Sequence, residues 1–129
     1  MHPTVLVVED DPSLRVALCD TLELGGFSTL SADDGERALE LFEASAIDLV
    51  VSDVNMSRLD GHGLLRRLKA RRPQVPVLLM TGHGSIASAV QAMQAGAADY
   101  LVKPVESAVL VSRVSELVPR AAGAIDHLV

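Results

Sequence analysis

The chain has 129 residues, a net charge of −6, 49% apolar content and only Phe27, Phe42 and Tyr100 as aromatics. That is long enough for one domain with a core and too apolar for intrinsic disorder. The acidic balance excludes the basic stripe of a nucleic-acid-binding face, and no segment reads as a signal peptide or membrane span. A cytoplasmic domain with an aliphatic core is expected, touching neither nucleic acid nor membrane directly.

Residues 5–8, Val-Leu-Val-Val, read as a short buried strand that runs straight into Glu9, Asp10 and Asp11. Asp11-Pro12 supplies a helix cap and a first-turn proline. Leu14, Ala17, Leu18, Thr21 and Leu22 recur at helical spacing until Gly25-Gly26 ends the helix. Cys19, the only cysteine, falls on the apolar side of that helix as a small core residue and allows no internal disulfide. A second strand is predicted over 27–30. A turn at Asp33-Asp34-Gly35 follows, then a helix with Ala38, Leu39, Leu41 and Phe42 on its apolar side.

The third strand is predicted over 47–52 and ends at Asp53. The loop over 54–63 carries Asn55, Asp60, Gly61 and Gly63, and Leu64, Leu65 and Leu68 mark a third helix. The basic run from Arg66 to Arg72 has helical spacing and reads as a solvated face and last turn. Pro73 and Pro76 bracket the exit to a fourth strand over 77–80. A Gly-rich loop, Thr81-Gly82-His83-Gly84, comes next, with His83 read as a surface residue rather than a ligand. Ile86, Ala89, Val90 and Met93 mark a fourth helix ending at Gly96. A fifth strand is predicted over 99–102, then Lys103-Pro104, a last helix over 105–118, and a linker or helix extension over 119–129. Residues 1–118 are thus expected to form the domain.

Strands alternating with helices imply parallel βαβ units with helices on both faces of the sheet. Right-handed crossovers restrict the topology, and the expected fold is α/β, a flavodoxin-like (βα)5 doubly wound five-stranded parallel sheet of order 2-1-3-4-5. Functional groups of such folds gather at the carboxyl ends of the strands. There the sequence places Glu9, Asp10 and Asp11 after strand one, Asp53 after strand three, Thr81 after strand four and Lys103 after strand five.

Carboxylates at buried strand ends are costly unless a cation sits among them. An oxygen-only set suits Mg²⁺ and suits zinc poorly, because no histidine or cysteine stands beside it. Asp53 is a candidate nucleophile on phosphorus, with the metal and Lys103 offsetting the charge of the transferring group. Thr81 is placed to hydrogen-bond a transferred phosphoryl oxygen and so to act as a switch. Tyr100 reads equally as plain packing or as a ring that fills the space Thr81 vacates. Lys103 stands before proline, where extended backbone points its amine over the strand tips.

With these residues in order, the chain resembles the response-regulator receiver domains of two-component signalling, the CheY-like family, over about Thr4 to Val118. The resemblance implies Asp53 as phosphoacceptor from a sensor histidine kinase. It implies Mg²⁺ (or Mn²⁺) on Asp10, Asp53 and the Asn55 backbone carbonyl, with Glu9 reaching the ion through water, and Asp11 as the helix cap. Thr81 and Tyr100 match the switch positions and Lys103 the phosphoryl-contacting lysine. The stretch from Thr81 to Tyr100 resembles receivers of the NtrC class, which implies an effector domain in a longer chain that activates transcription. Two residues depart from the family pattern: Ser57 in place of a usual proline and Val105 in place of a usual phenylalanine. Neither removes a site group.

The apolar residues of the last helix, Val105, Val109, Leu110, Val114, Leu117 and Val118, exceed one buried stripe and suggest a homodimer through the last helices. Three other functions compete with signalling. A phosphohydrolase of the haloacid-dehalogenase type also uses an aspartate nucleophile, but needs a second aspartate two positions on, where this chain has Asn55. Dinucleotide binding needs G-x-G-x-x-G after strand one, where this chain has acids. A phosphorylation-independent interaction module is the third.

Overall fold

The computed structural model describes residues 2–56, 59–82 and 84–118. Ser57, His83 and the tail 119–129 lie outside the described residues. The elements in chain order are β1 (Thr4–Val8), α1 (Pro12–Leu24), β2 (Ser28–Ala32), α2 (Gly35–Ala44), β3 (Leu49–Asp53), α3 (Gly61–Arg71), β4 (Val77–Thr81), α4 (Ile86–Gln94), β5 (Asp99–Val102) and α5 (Ser107–Leu117). All strand pairs are parallel and the order is β2-β1-β3-β4-β5, as expected from the alternation.

The period of two along each strand divides the core between the two faces of the sheet. Leu6, Val8, Val50, Val77 and Leu79 face α2 and α3, where Phe42, Leu64, Leu65 and Leu68 close over them. Val5, Val7, Leu49, Val51, Leu78 and Met80 face α1 and α5, covered by Leu18, Leu22, Leu110 and Val114. The three central strands are therefore continuous apolar runs, and the two edge strands are more exposed.

Local chemistry sets the boundaries. Asp11 caps α1 by accepting from Ser13 N at 3.0 Å, and Asp34 and Asp60 cap α2 and α3 by accepting from Arg37 N and Gly63 N, both at 2.8 Å. Gly26 ends α1 with φ of 100°, a backbone that favours glycine. The second strand starts later than predicted, because Phe27 N donates to Leu22 O at 3.0 Å and stays with the helix end. The third also starts late, at Leu49, because Asp48 folds back to accept from Thr4 N at 2.8 Å. The last helix begins after Glu106 rather than at Val105.

The basic run at the end of α3 is only partly a solvated face. Arg72 lies over the Phe42 ring at 4.1 Å from its centroid, and Arg71 pairs with Glu43. Both tie α3 to α2. Along α4 the periodicity locates the helix but not its buried side. Ala92 is its buried residue among those described, while Ile86, Val90 and Met93 are exposed. Most of the surplus apolar residues of α5 pack inward, and Val109 alone of its large apolar residues is exposed among those described, at 39%.

The start of α3 is pressed against the end of β3. Gly61 N donates to Val54 O at 2.9 Å, and a Cβ on Gly61 would stand 2.5 Å from Asp53 O and 2.7 Å from Val54 Cα. Those atoms are backbone and cannot step aside. Gly61→Ala is therefore expected to cost about 1–3 kcal/mol in urea unfolding. Gly82→Ala, whose Cβ would meet nothing within 4 Å, is expected to stay within about 0.5 kcal/mol of the parent.

Candidate functional site

Parallel registry brings the strand tips to one edge. Val8 stands beside Ser52, Asp53 beside Met80, and Thr81 beside Val102. Glu9 leaves β1 buried, with its backbone N–H donating to Ala32 O and its carbonyl accepting from Arg15 Nη1 at 2.7 Å. The α1 cap holds the acidic turn in shape, since Asp11 N also donates to Glu9 Oε2 at 3.1 Å. Carboxylate oxygens of Glu9, Asp10 and Asp53 lie within 4.8 Å of one another. Glu9 and Asp53 are buried, while Asp10 is exposed at the mouth.

Lys103 answers this charge. Its Nζ donates to Glu9 Oε1 at 2.9 Å and lies 3.1 Å from Asp53 Oδ1. Its backbone N–H donates to Thr81 O at 2.7 Å, which fixes the start of the turn, and the Lys103–Pro104 bond is cis. Burial pushes the Glu9 carboxyl above its ordinary range, opposed in part by the hydrogen bonds from Lys103 and from Asp11 N and reinforced by the charge of Asp53. Burial alone would lower Lys103. The hydrogen bond to Glu9 and the charges of Asp53 and Glu9 outweigh it and raise the amine above its usual value, so it stays charged at neutral pH.

Asp53 Oδ1 is buried and, despite the nearby amine, has no aligned hydrogen bond. One ammonium faces three carboxylates there, so the cluster keeps excess negative charge that a further cation would offset. The donor set is all oxygen and anionic, which fits a hard divalent ion such as Mg²⁺ and not zinc. Asn55 is exposed and lines the open cleft beside the cluster, together with Asp10, Val54, Met56, Asp60, His62, Ser88 and Gln91. Thr81 is buried at the tip of β4.

The structure thus brings Glu9, Asp10, Asp53 and Lys103 into direct company, with Asn55 at the same mouth and Thr81 one strand along. Tyr100 lies apart, near the start of β5, with its hydroxyl 2.9 Å from Ser88 Oγ. Ser52, buried with its hydroxyl donating to Asp53 O at 2.9 Å, has no counterpart in the sequence reading. Nor do His62 and Ser88. Their signal is weak because they come from helix faces and not from strand tips.

Comparison with known proteins agrees with this geometry. The response regulator receiver domain family matches residues 5–115, and the chain belongs to that family. It is therefore a receiver domain of the two-component kind. It is 51% identical over 115 residues to the response regulator protein FleR of Pseudomonas aeruginosa, covering 89% of this chain and 24% of that protein. It is 43% identical over 102 residues to the C4-dicarboxylate transport transcriptional regulatory protein DctD of Rhizobium meliloti, covering 79% of this chain and 22% of that one. The chain thus spans about a quarter of the length of these relatives. The structure of the Vibrio cholerae chemotaxis protein CheY4 superposes with a TM-score of 0.87 at 27% identity, covering 92% of this chain and 100% of that one. No helix among the described residues is long and apolar enough to cross a membrane.

The acidic cluster predicts stabilisation by Mg²⁺. At a concentration tenfold above its Kd the ion should add about 1.4 kcal/mol to unfolding stability, read as a rise in Tm. Asp10→Asn, at an exposed position the fold does not need, should remove most of that rise while leaving the metal-free Tm close to the parent.

Proposed function

We propose that Asp53 is the phosphoacceptor, taking a phosphoryl group from a sensor histidine kinase. The observation that carries this reading is the pairing of Lys103 with Glu9 and Asp53 beside Asp10, in a chain of the receiver family. Asp10, Asp53, the Asn55 carbonyl and, through water, Glu9 are the groups that would hold Mg²⁺ or Mn²⁺. When bound, the ion supplies positive charge against the phosphoryl oxygens.

The chain's own residues do the rest. A carboxylate oxygen of Asp53 attacks phosphorus, a new O–P bond forms, and the bond to the donor breaks. From a phosphohistidine the P–N bond breaks, and the imidazole nitrogen keeps the electron pair and takes a proton. From acetyl phosphate the P–O bond breaks and acetate leaves. The Lys103 ammonium balances charge developing on the phosphoryl oxygens. Burial of Asp53 limits competing attack by water. The transferred group adds about −1.5 to −2 charges and new acceptors beside Thr81. We assign Thr81 as the group that hydrogen-bonds it and Tyr100 as the residue that moves in response.

On this reading the chain is a signalling device and not a turnover enzyme, with slow loss of its own phosphoryl group. Its output goes to an effector domain in a longer chain. The names of FleR and DctD support one that regulates transcription. The homodimer proposed through the last helices has Val109 as its exposed apolar contact on α5.

Intact mass after incubation with acetyl phosphate tests the reading. One phosphoryl group should be gained with Mg²⁺ and none without it, and Asp53→Ala should gain none under either condition. Continuous release of phosphate at many cycles per second would favour the phosphohydrolase instead. Absence of any gain in the parent would favour the interaction module.

A further inference from the structure

α4, which lines the acidic cleft through Ser88 and Gln91, is the helix with the fewest buried residues. α4 buries one small residue, Ala92, and leaves Ile86, Val90 and Met93 exposed. Apolar burial therefore contributes little to holding its first two turns. Polar ties are concentrated at Ser88. Its backbone N–H is capped by Ser85 Oγ at 3.0 Å. Its hydroxyl meets Tyr100 Oη of β5 at 2.9 Å and His62 Nε2 of α3 at 3.3 Å. One hydroxyl thus joins three elements, and two of its neighbours differ in kind. Tyr100 packs against the core, and His62 lines the cleft that holds Asp10 and Asn55.

The chain of bonds can be satisfied in either direction. Tyr100 can donate to Ser88 and Ser88 to His62, or the reverse, because a hydroxyl gives one proton and accepts through two lone pairs.

We infer that Ser88 is a latch, a positioning residue that ties α4 to α3 and β5 through His62 and Tyr100 and so holds the domain in its unphosphorylated arrangement. That role rests on Asp53 as the phosphoacceptor and Tyr100 as the residue that moves in response. On that reading the Tyr100 hydroxyl leaves Ser88 when the ring moves toward Thr81. The bond therefore opposes the phosphorylated form, and by linkage a phosphoryl mimic binds more tightly once it is gone.

The test has two arms. In the first, amide hydrogen exchange over 86–94 is measured without any phosphoryl donor. Tyr100→Phe should speed exchange about three- to tenfold, the worth of one hydrogen bond, and Ser88→Ala, which also loses the His62 contact, by at least as much. Alanine is the better helix former, so a merely local effect of Ser88→Ala would slow exchange instead. The double variant should not exceed Ser88→Ala, which already removes the bond to Tyr100. Ser88→Thr, which keeps the hydroxyl, should exchange like the parent. In the second arm, beryllofluoride with Mg²⁺ is titrated as a phosphoryl mimic, and Ser88→Ala should bind it more tightly by a similar factor. Unchanged or slowed exchange in Ser88→Ala, additive effects in the double variant, or unchanged beryllofluoride affinity would each overturn the latch. Failure of the parent to bind beryllofluoride at all would overturn the phosphoacceptor reading and the coupling with it, while the exchange arm would still decide whether Ser88 ties α4.

Discussion

Everything at the carboxyl edge of this sheet depends on one amine among carboxylates. Glu9 and Asp53 are buried at strand tips, where an uncompensated charge costs several kcal/mol. Lys103 reaches both from the far side of the sheet and is itself kept charged by them. The pairing does not saturate the site. One lysine meets two buried acids, Asp10 adds a third at the mouth, and Asp53 Oδ1 has no aligned donor. The cluster is thus stable enough to exist and electrostatically incomplete. Incompleteness is what makes it receptive to a cation, and a cation is what lets an acidic pocket tolerate a phosphoryl group.

The rest of the fold maintains that geometry. Two apolar layers fix the central strands in register, so that β1, β3 and β4 end in a short stagger, Val8 beside Ser52 and Asp53 beside Met80. The capped start of α1 closes the acidic turn from one side. The start of α3 closes from the other, and only a glycine at position 61 lets its backbone approach that of Asp53 and Val54. Position 61 is thus part of the site without touching its chemistry. A methyl group there would move the very backbone that aims Asp53.

The fold was legible because its signals are strong and redundant. Short β-branched runs alternated with capped amphipathic segments, and an all-parallel sheet brings every strand end to one side. The residues immediately after each run were then enough to find Glu9, Asp10, Asp53, Thr81 and Lys103. Residues contributed by helix faces carried no such label. His62 and Ser88 lie 26 positions apart. Only the fold, which brings the start of α3 beside Ser88 of α4, makes them neighbours. The starts of β2 and β3 shifted for local reasons, the Phe27 amide bond and the folded-back Asp48 carboxylate, which propensity does not encode. The face of α4 was illegible for a related reason. Its apolar residues look outward, and the residue it buries is an alanine, which adds little to any hydrophobic pattern.

That last mismatch links structure to mechanism. A helix with a well-buried stripe answers to the core and resists displacement. One that buries a single alanine answers to whatever polar contacts it makes, each worth about 0.5–1.5 kcal/mol. Energies of that size are what a single charged group can redirect at short range. The acidic cluster is set in strands and tight turns, which hold still the residue proposed as nucleophile, Asp53. The element beside it is held by contacts weak enough to yield. Precision at the tip of β3 and looseness at α4 are opposite properties. A receiver needs both, because a site that could not hold its geometry would not be modified, and a surface that could not move would not report it.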